Sequence, residues 1–364
     1  MELYLLVISI PALASLLPNN VSKDNSLIFS FWYCVFLTFL FGLRHEVGGD
    51  WINYIYLFNN INDLFDPFSL NLLESDYIFD LSNWLAYNFN LSIYYVNFFN
   101  SAIFFLGLFF FAIKQPFPSM VFLVAAPYLI IVISTGYVRQ ASALGLILLS
   151  MNFLMNKQIK TYVFIILIAS FFHKTVVMLL IFLPMFFLEI KLPNLNKIKV
   201  NYLLTFIICT PLIYYFFYYF FYYILQKQFE FIFINYLGAN MHFVSKGALF
   251  RSGIFLFSAI LFILFSKKLT KNVFERKVYS IYGFATIIIS LFVFNYSSAV
   301  DRFLIYFYPL QLFVFSRLHL IFNDHSNRIF YNILVICFFF LVFFVWVFFG
   351  QYSNHWIPFN NIFL

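Results

Sequence analysis

Apolar residues fall into long, nearly uninterrupted runs, and polar residues into short clusters between them. The runs occupy residues 3–17, 26–43, 95–113, 119–135, 137–155, 161–173, 174–190, 201–224, 250–266, 278–295, 301–316 and 329–349. Crossing the core of a bilayer takes about 20 apolar residues of helix. Irregular backbone cannot face lipid, because its amides and carbonyls would have no partners. Each run therefore predicts a membrane helix. Some runs are short or closely spaced, so the expectation is an all-α polytopic bundle of about ten to thirteen spans. The first run, Leu3 to Leu17, has no basic residues before it and only a weak cleavage pattern, so it reads as a retained span rather than a secretory signal.

Two longer polar segments interrupt the runs, at 44–94 and 226–249. In the first, Asp50 follows two glycines and is expected to cap a helix with its carboxylate. Trp51, Tyr54, Ile55, Phe58, Ile61, Asn62 and Phe65 follow at helical spacing, predicting a short amphipathic helix on the membrane surface. Asp66-Pro67 ends it, and an acidic stretch with Glu74, Asp76 and Asp80 comes next.

Composition agrees with this pattern. Of 364 residues, 64% are hydrophobic and only 10% charged, whereas soluble domains are about 45–50% apolar and about 25% charged. One integral membrane domain, 1–364, accounts for the whole chain. Cys34, Cys209 and Cys337 each lie in an apolar run without the spacing of a disulfide framework or metal site.

The net charge of +7 could point to nucleic acid, but its distribution points elsewhere. Alternate loops collect 14 of the 21 Lys and Arg residues with only four acids, which assigns those loops to the cytoplasm. Arg44, Arg139, His173, Lys174, Arg251 and Arg302 then share the opposite face. An arginine at the mouth of a membrane helix is costly unless paired or hydrated, and its planar fork suits phosphate oxygens. These positions predict a diphosphate site built from Arg44, Arg139, Arg251, Arg302 and Lys174. For a base that takes a proton from a hydroxyl, His173, Glu46 and Asp50 are the candidates. Lys174 beside His173 should favour the neutral imidazole. No spacing characteristic of a metal site or a nucleotide-binding loop is found, and no cofactor is expected.

These residues also form motifs. Arg44-His45-Glu46-Val47-Gly48-Gly49-Asp50-Trp51-Ile52-Asn53-Tyr54 ends an early run, and Arg139-Gln140 opens a middle one. Phe172-His173-Lys174-Thr175 and Asp301-Arg302-Phe303-Leu304-Ile305-Tyr306 follow. In this order they resemble the EpsG/Wzy-type family of bacterial exopolysaccharide and O-antigen polymerases. The family usually has threonine where Gly49 stands, and Trp51 supplies its aromatic after the aspartate. The resemblance implies a GT-C-like helix bundle in the bacterial cytoplasmic (inner) membrane, with its active site facing the periplasm or outside. Its substrates would be repeat-unit oligosaccharides on undecaprenyl diphosphate. The growing glycan would be transferred from its lipid diphosphate to a sugar hydroxyl of the incoming unit. Arg139 with Arg251 or Arg302 would hold the diphosphate, Arg44 would position substrate, and His173, Glu46 or Asp50 would be the base. Membrane lipid would surround the protein, and a chain-length-determining protein would be a further partner if the enzyme does not set length itself. The rival readings are a ligase that moves finished polysaccharide to a lipid core, a flippase or transporter, and an acyltransferase. The charges lie at one face rather than through the bundle, which disfavours a transporter.

Overall fold

The structure, a computed structural model, describes residues 1–17, 23–68, 75–187 and 245–363. Most of the predicted 226–249 segment therefore lies outside the described residues, as do Glu74, Cys209 and the run at 201–224. Among the described residues there are helices and no strands. In chain order they are α1 (Glu2–Ala14), α2 (Lys23–Gly42), α3 (Trp51–Asn59), α4 (Ile61–Leu64), α5 (Tyr77–Asn88) and α6 (Ile93–Ala112). Next come α7 (Pro118–Gly136), α8 (Val138–Met155), α9 (Ile159–Phe172) and α10 (Lys174–Phe187). The last are α11 (Ala248–Leu269), α12 (Val273–Leu291), α13 (Ser297–Ile321) and α14 (His325–Phe349). Seven of these, α2, α6, α7, α8, α11, α13 and α14, are long and apolar enough to cross a membrane. Three more, α1, α9 and α10, are apolar but shorter. The protein is thus an all-α bundle with the character of a multi-pass membrane protein.

The chain divides into two compact units, residues 1–176 with 315–364, and residues 177–314. In the first, α6 packs on both α2 and α8. Glycine makes the second crossing possible: a Cβ built on Gly107 would lie 1.8 Å from the Gly145 carbonyl oxygen. In lipid, where apolar tails compete equally for apolar side chains, close backbone approach at small residues is a main source of helix association. α7 is the most enclosed span, with 94% of its apolar window inside the protein. Its middle, Ala126–Ile133, is a π-helix, a wide-turn form that is rare and frequent at functional sites.

Polar contacts in this unit cluster at the two ends of the bundle. At one end the Ser15 hydroxyl meets that of Ser119, Asn332 donates to the Ser15 carbonyl, and Arg317 Nε donates to Gln115 Oε1 at 3.1 Å. At the other end the chain after α14 crosses the bundle as a strap. Trp356 donates its indole N–H to Thr135 Oγ1 at 2.7 Å, while its carbonyl accepts from the Tyr4 hydroxyl at 2.8 Å. Its ring fills the space beside Gly136 and Gly49 that side chains there would take. Gly48, at φ +111° and against the Thr135 carbonyl, meets both a conformational and a steric demand that only glycine satisfies. The strap is completed by Ile362 N–H donating to the Leu43 carbonyl and by a short bridge between Arg44 and Asn361.

The second unit contains α11, α12 and most of α13. Aromatic packing fills it: the Tyr279 ring stacks on Phe313 at 3.7 Å between centroids, and Phe255 meets Tyr308 edge-on at 4.7 Å. A cap akin to the capping box starts α12, with its glutamate reaching the residue before the cap. Asn272 Oδ1 accepts from the Glu275 N–H at 2.8 Å, and the Glu275 carboxylate accepts from the Lys271 N–H at 2.6 Å.

The polar segment at 44–94 departs from its expected form. Residues 51–65 form two helices divided at Asn60, and their apolar stripe packs on protein rather than on a membrane. Trp51, Tyr54, Ile61 and Phe65 are buried, with the Tyr54 ring 5.5 Å from Phe79 and Phe58 5.7 Å from Tyr87, both on α5. The surface left outward carries Ile52 and Tyr56. Asp50 occupies the cap position of α3 but makes no side-chain capping bond.

Replacing Gly107 with valine should force α6 and α8 apart, since backbone on the far side cannot yield. We expect a loss of about 3 kcal/mol or more, at or beyond the upper range for overpacking. Thermal unfolding of the purified protein in detergent measures it, and an unchanged melting temperature would contradict the close crossing.

Candidate active site

Three helix starts meet at the strap end of the first unit. α5 begins after Asp76, α8 begins at Val138 after the Tyr137 break, and α10 begins at Lys174 after an extended His173. Each start leaves backbone N–H groups without intrahelical partners and carries a partial positive charge. Two of these orphan groups are met by side chains from the 44–94 segment. The Val138 N–H donates to the Tyr54 hydroxyl at 3.1 Å, and the Lys174 N–H donates to Asp76 Oδ1 at 3.2 Å.

Asp76 is the centre of the arrangement. Its side chain is only 6% exposed, and Oδ2 accepts from Arg139 Nη1 at 2.9 Å and lies 3.4 Å from His173 Nδ1. Burial alone would raise the Asp76 pKa, but His173, Arg139 and Lys174 overcome it and hold the carboxyl down at about 2. The same contacts order the imidazole. With Nδ1 donating to Asp76, Nε2 is left as an acceptor, and Gln140 Nε2 stands 3.1 Å from it. Arg139 keeps 41% of its side chain exposed while paired to Asp76 and lies over the Phe79 ring at 5.8 Å. The cluster thus offers a partly open guanidinium and an imidazole whose Nε2 faces the Gln140 amide.

Asp80, one turn further along α5, is the second buried carboxyl. Burial and then the nearby Asp76 charge push it up to about 6, against weaker opposition from Ser75, Arg139 and Lys174. Two carboxyls four residues apart are therefore driven in opposite directions by their surroundings, a pattern frequent at functional sites.

The other candidates lie in different settings. Arg44 is 0% exposed. It donates to the Val47 and Phe41 carbonyls and to Asn97 Oδ1, each at 3.1 Å, and its guanidinium lies 5.7 Å from the Trp51 ring centroid. Burial lowers its pKa only to about 10, so it stays charged. It organises the 41–51 turn from inside and presents no surface to a substrate. Glu46 stands outward, with its side chain 67% exposed and Oε1 3.8 Å from His45 Nε2. Asp50 is half-buried at the start of α3. In the second unit Arg251 grips Asp301 with both arms of its fork, Nε to Oδ1 and Nη2 to Oδ2 at 2.6 Å each, and also donates to Ser245 Oγ at 2.7 Å. Arg302 is half-buried beside that pair. Among the described residues, no group of three or more His, Cys, Asp or Glu side chains is placed to hold a metal ion.

Of the predicted residues, the first unit gathers Arg139, His173 and Lys174. Asp76, which gathers them, belongs to the acidic stretch that sequence reading left without a role. Its signal was present in outline: two carboxylates four apart, at the start of the helical run Tyr77–Asn88. A carboxylate that caps another helix leaves no local pattern, however.

Fold and site together define a multi-pass helical membrane protein with a buried carboxylate–histidine–arginine cluster where residues 44–94 meet the bundle. The EpsG family model matches residues 27–361, and the chain belongs to the EpsG family. That membership supports a polysaccharide-polymerase function in the broad sense. No curated protein and no solved structure matches the chain.

Because Asp80 binds its proton more tightly folded than unfolded, its contribution to stability is complete below about pH 4 and is lost as pH rises through about 6. Replacing Asp80 with asparagine should remove this slope, and melting temperatures in detergent between pH 4 and 7 would show it. A wild-type profile that is flat, or a slope retained in the variant, would contradict the assignment. Asp76 has the opposite sign, since its contribution is lost only as pH falls towards about 2.

Proposed function

We propose that this protein is a Wzy-type polymerase of O-antigen or exopolysaccharide. It would transfer a growing glycan from undecaprenyl diphosphate to a sugar hydroxyl of an incoming lipid-linked unit, at the outer face of the cytoplasmic membrane. The observation that carries this reading is the Asp76 cluster, which sets a base beside a cation at three converging helix starts. In the reaction the acceptor oxygen bonds to the anomeric carbon as the bond from that carbon to the diphosphate oxygen breaks. His173 Nε2 takes the acceptor proton, with Gln140 giving way to the hydroxyl, and Asp76 stabilises the resulting imidazolium. Arg139, assisted by Lys174 and the helix starts, receives the negative charge gathering on the leaving diphosphate. Arg44 shapes the turn that braces the site. Arg251 forms an ion pair with Asp301, so it would bind diphosphate only by exchanging that partner. Arg302 remains a candidate beside it.

The test is chain extension in cells lacking the native copy. His173→Ala and Arg139→Ala each remove a donor to the buried Asp76, so the membrane level should fall, and after correction for that level the long-chain ladder should still be abolished, each variant lowering the rate per molecule by about 10²-fold or more. Asp76→Asn should also fail, since an amide cannot hold the imidazole in its present tautomer with the same charge. Ladders of wild-type length from the first two variants would remove the assignments. The deletion strain separates the rivals: a single repeat unit on the core fits a polymerase, whereas long polymer stranded on the lipid carrier fits a ligase.

A further inference from the structure

A second group of side chains lies on the same 44–94 segment but apart from the Asp76 cluster. His45 and Glu46 occupy an exposed turn, with side chains 47% and 67% exposed. His45 Nδ1 is 2.7 Å from the Tyr94 hydroxyl, and the His45 and Trp51 rings meet edge-on at 6.0 Å. Trp51 and Tyr94 are 6.4 Å apart, and Arg44 supports the indole from beneath. Glu46 itself is held at φ +55°, a left-handed conformation that glycine or asparagine would adopt more cheaply. An exposed carboxylate is thus kept where the backbone favours another residue, beside an imidazole, a phenol and an indole.

We infer that His45, Glu46 and the half-buried Tyr94, backed by the buried Trp51 ring, form a subsite for one sugar ring of the glycan, and that the sugar is uncharged or an amino sugar rather than an acidic one. The accessible part of the Tyr94 ring suits the C–H surface of a sugar ring, and the carboxylate and imidazole suit its hydroxyls. The charge of Glu46 repels phosphates and uronic acids. Substrate polarity follows from this: diphosphate at the Arg139 end, neutral sugar at the Glu46 end, with α3 between them. Glu46 is then a binding residue and not the base. This inference rests on the polymerase reading for the identity of the glycan.

The probe is one repeat unit cut from the polysaccharide made by the same cells, reduced at its reducing end so that it carries neither phosphate nor lipid. Its binding to the full-length protein in nanodiscs of zwitterionic lipid is measured by calorimetry. Glu46→Gln, Glu46→Gly and Tyr94→Phe should each weaken binding about fivefold, the worth of about one hydrogen bond. Glu46→Gly should also melt at or above the wild-type temperature, which a structural role for the side chain would not allow. Equal affinity in all four proteins, or no binding to the wild type at millimolar probe, would overturn the subsite. Extension of lipid-linked units is scored separately. A wild type that binds the probe but never extends keeps the subsite and removes the polymerase reading. An extending enzyme whose Glu46→Gln variant loses kcat at unchanged KM makes Glu46 the base and removes the subsite.

Discussion

A buried carboxylate that must be paired holds this end of the molecule together. Leaving Asp76 charged inside protein without its donors would cost several kcal/mol. Its donors come from places far apart in the chain: Arg139 at the start of α8, His173 between α9 and α10, and the first amide of α10. The carboxylate itself opens α5, in the segment between α2 and α6. None of these four positions can shift alone without stranding a charge. The constraint that fixes the 44–94 segment is thus the one that sets the imidazole tautomer and turns the guanidinium. Fold stability and site geometry rest on the same hydrogen bonds.

Beneath that cluster, α7 supplies the second constraint. Its π-helical turns end at Ser134-Thr135-Gly136, and Tyr137 then breaks the helix so that α8 can begin beside it. The indole of Trp356 occupies the space a side chain at residue 136 would need, and its N–H is satisfied by Thr135. Tyr54 satisfies the first amide of α8 from the opposite side. Arg139 is therefore carried on a helix start clamped between the strap and the 44–94 segment, and no long loop intervenes.

Much of this was legible from the amino-acid order. Apolar run length located nearly every helix now described, because lipid leaves backbone no other way to satisfy itself. Charge at run ends singled out Arg139, His173 and Lys174. What stayed hidden depends on contacts between segments. Arg44 has the sequence position of a mouth arginine, but the carbonyls of Phe41 and Val47 and the amide of Asn97 make it an interior one. The stripe through Trp51, Tyr54 and Ile61 correctly marked a buried face, yet periodicity cannot distinguish lipid from protein as the burying medium. Asp76 acts on a helix nearly a hundred residues away, so no local rule could assign it.

The strap gives the protein an order of assembly. Residues 355–362 touch the turns around Leu43, Gly48 and Thr135, and Tyr4 on the first helix reaches the Trp356 carbonyl. Those partners are synthesised and inserted long before the strap exists. Until the last span has crossed the bilayer, Gly49 and Gly136 have no indole seated against them, the Gly48 N–H lacks the His355 carbonyl, and the start of α8 is clamped from one side only. A half-made chain can therefore hold its helices in the membrane before the helix start that carries Arg139 is braced from both sides.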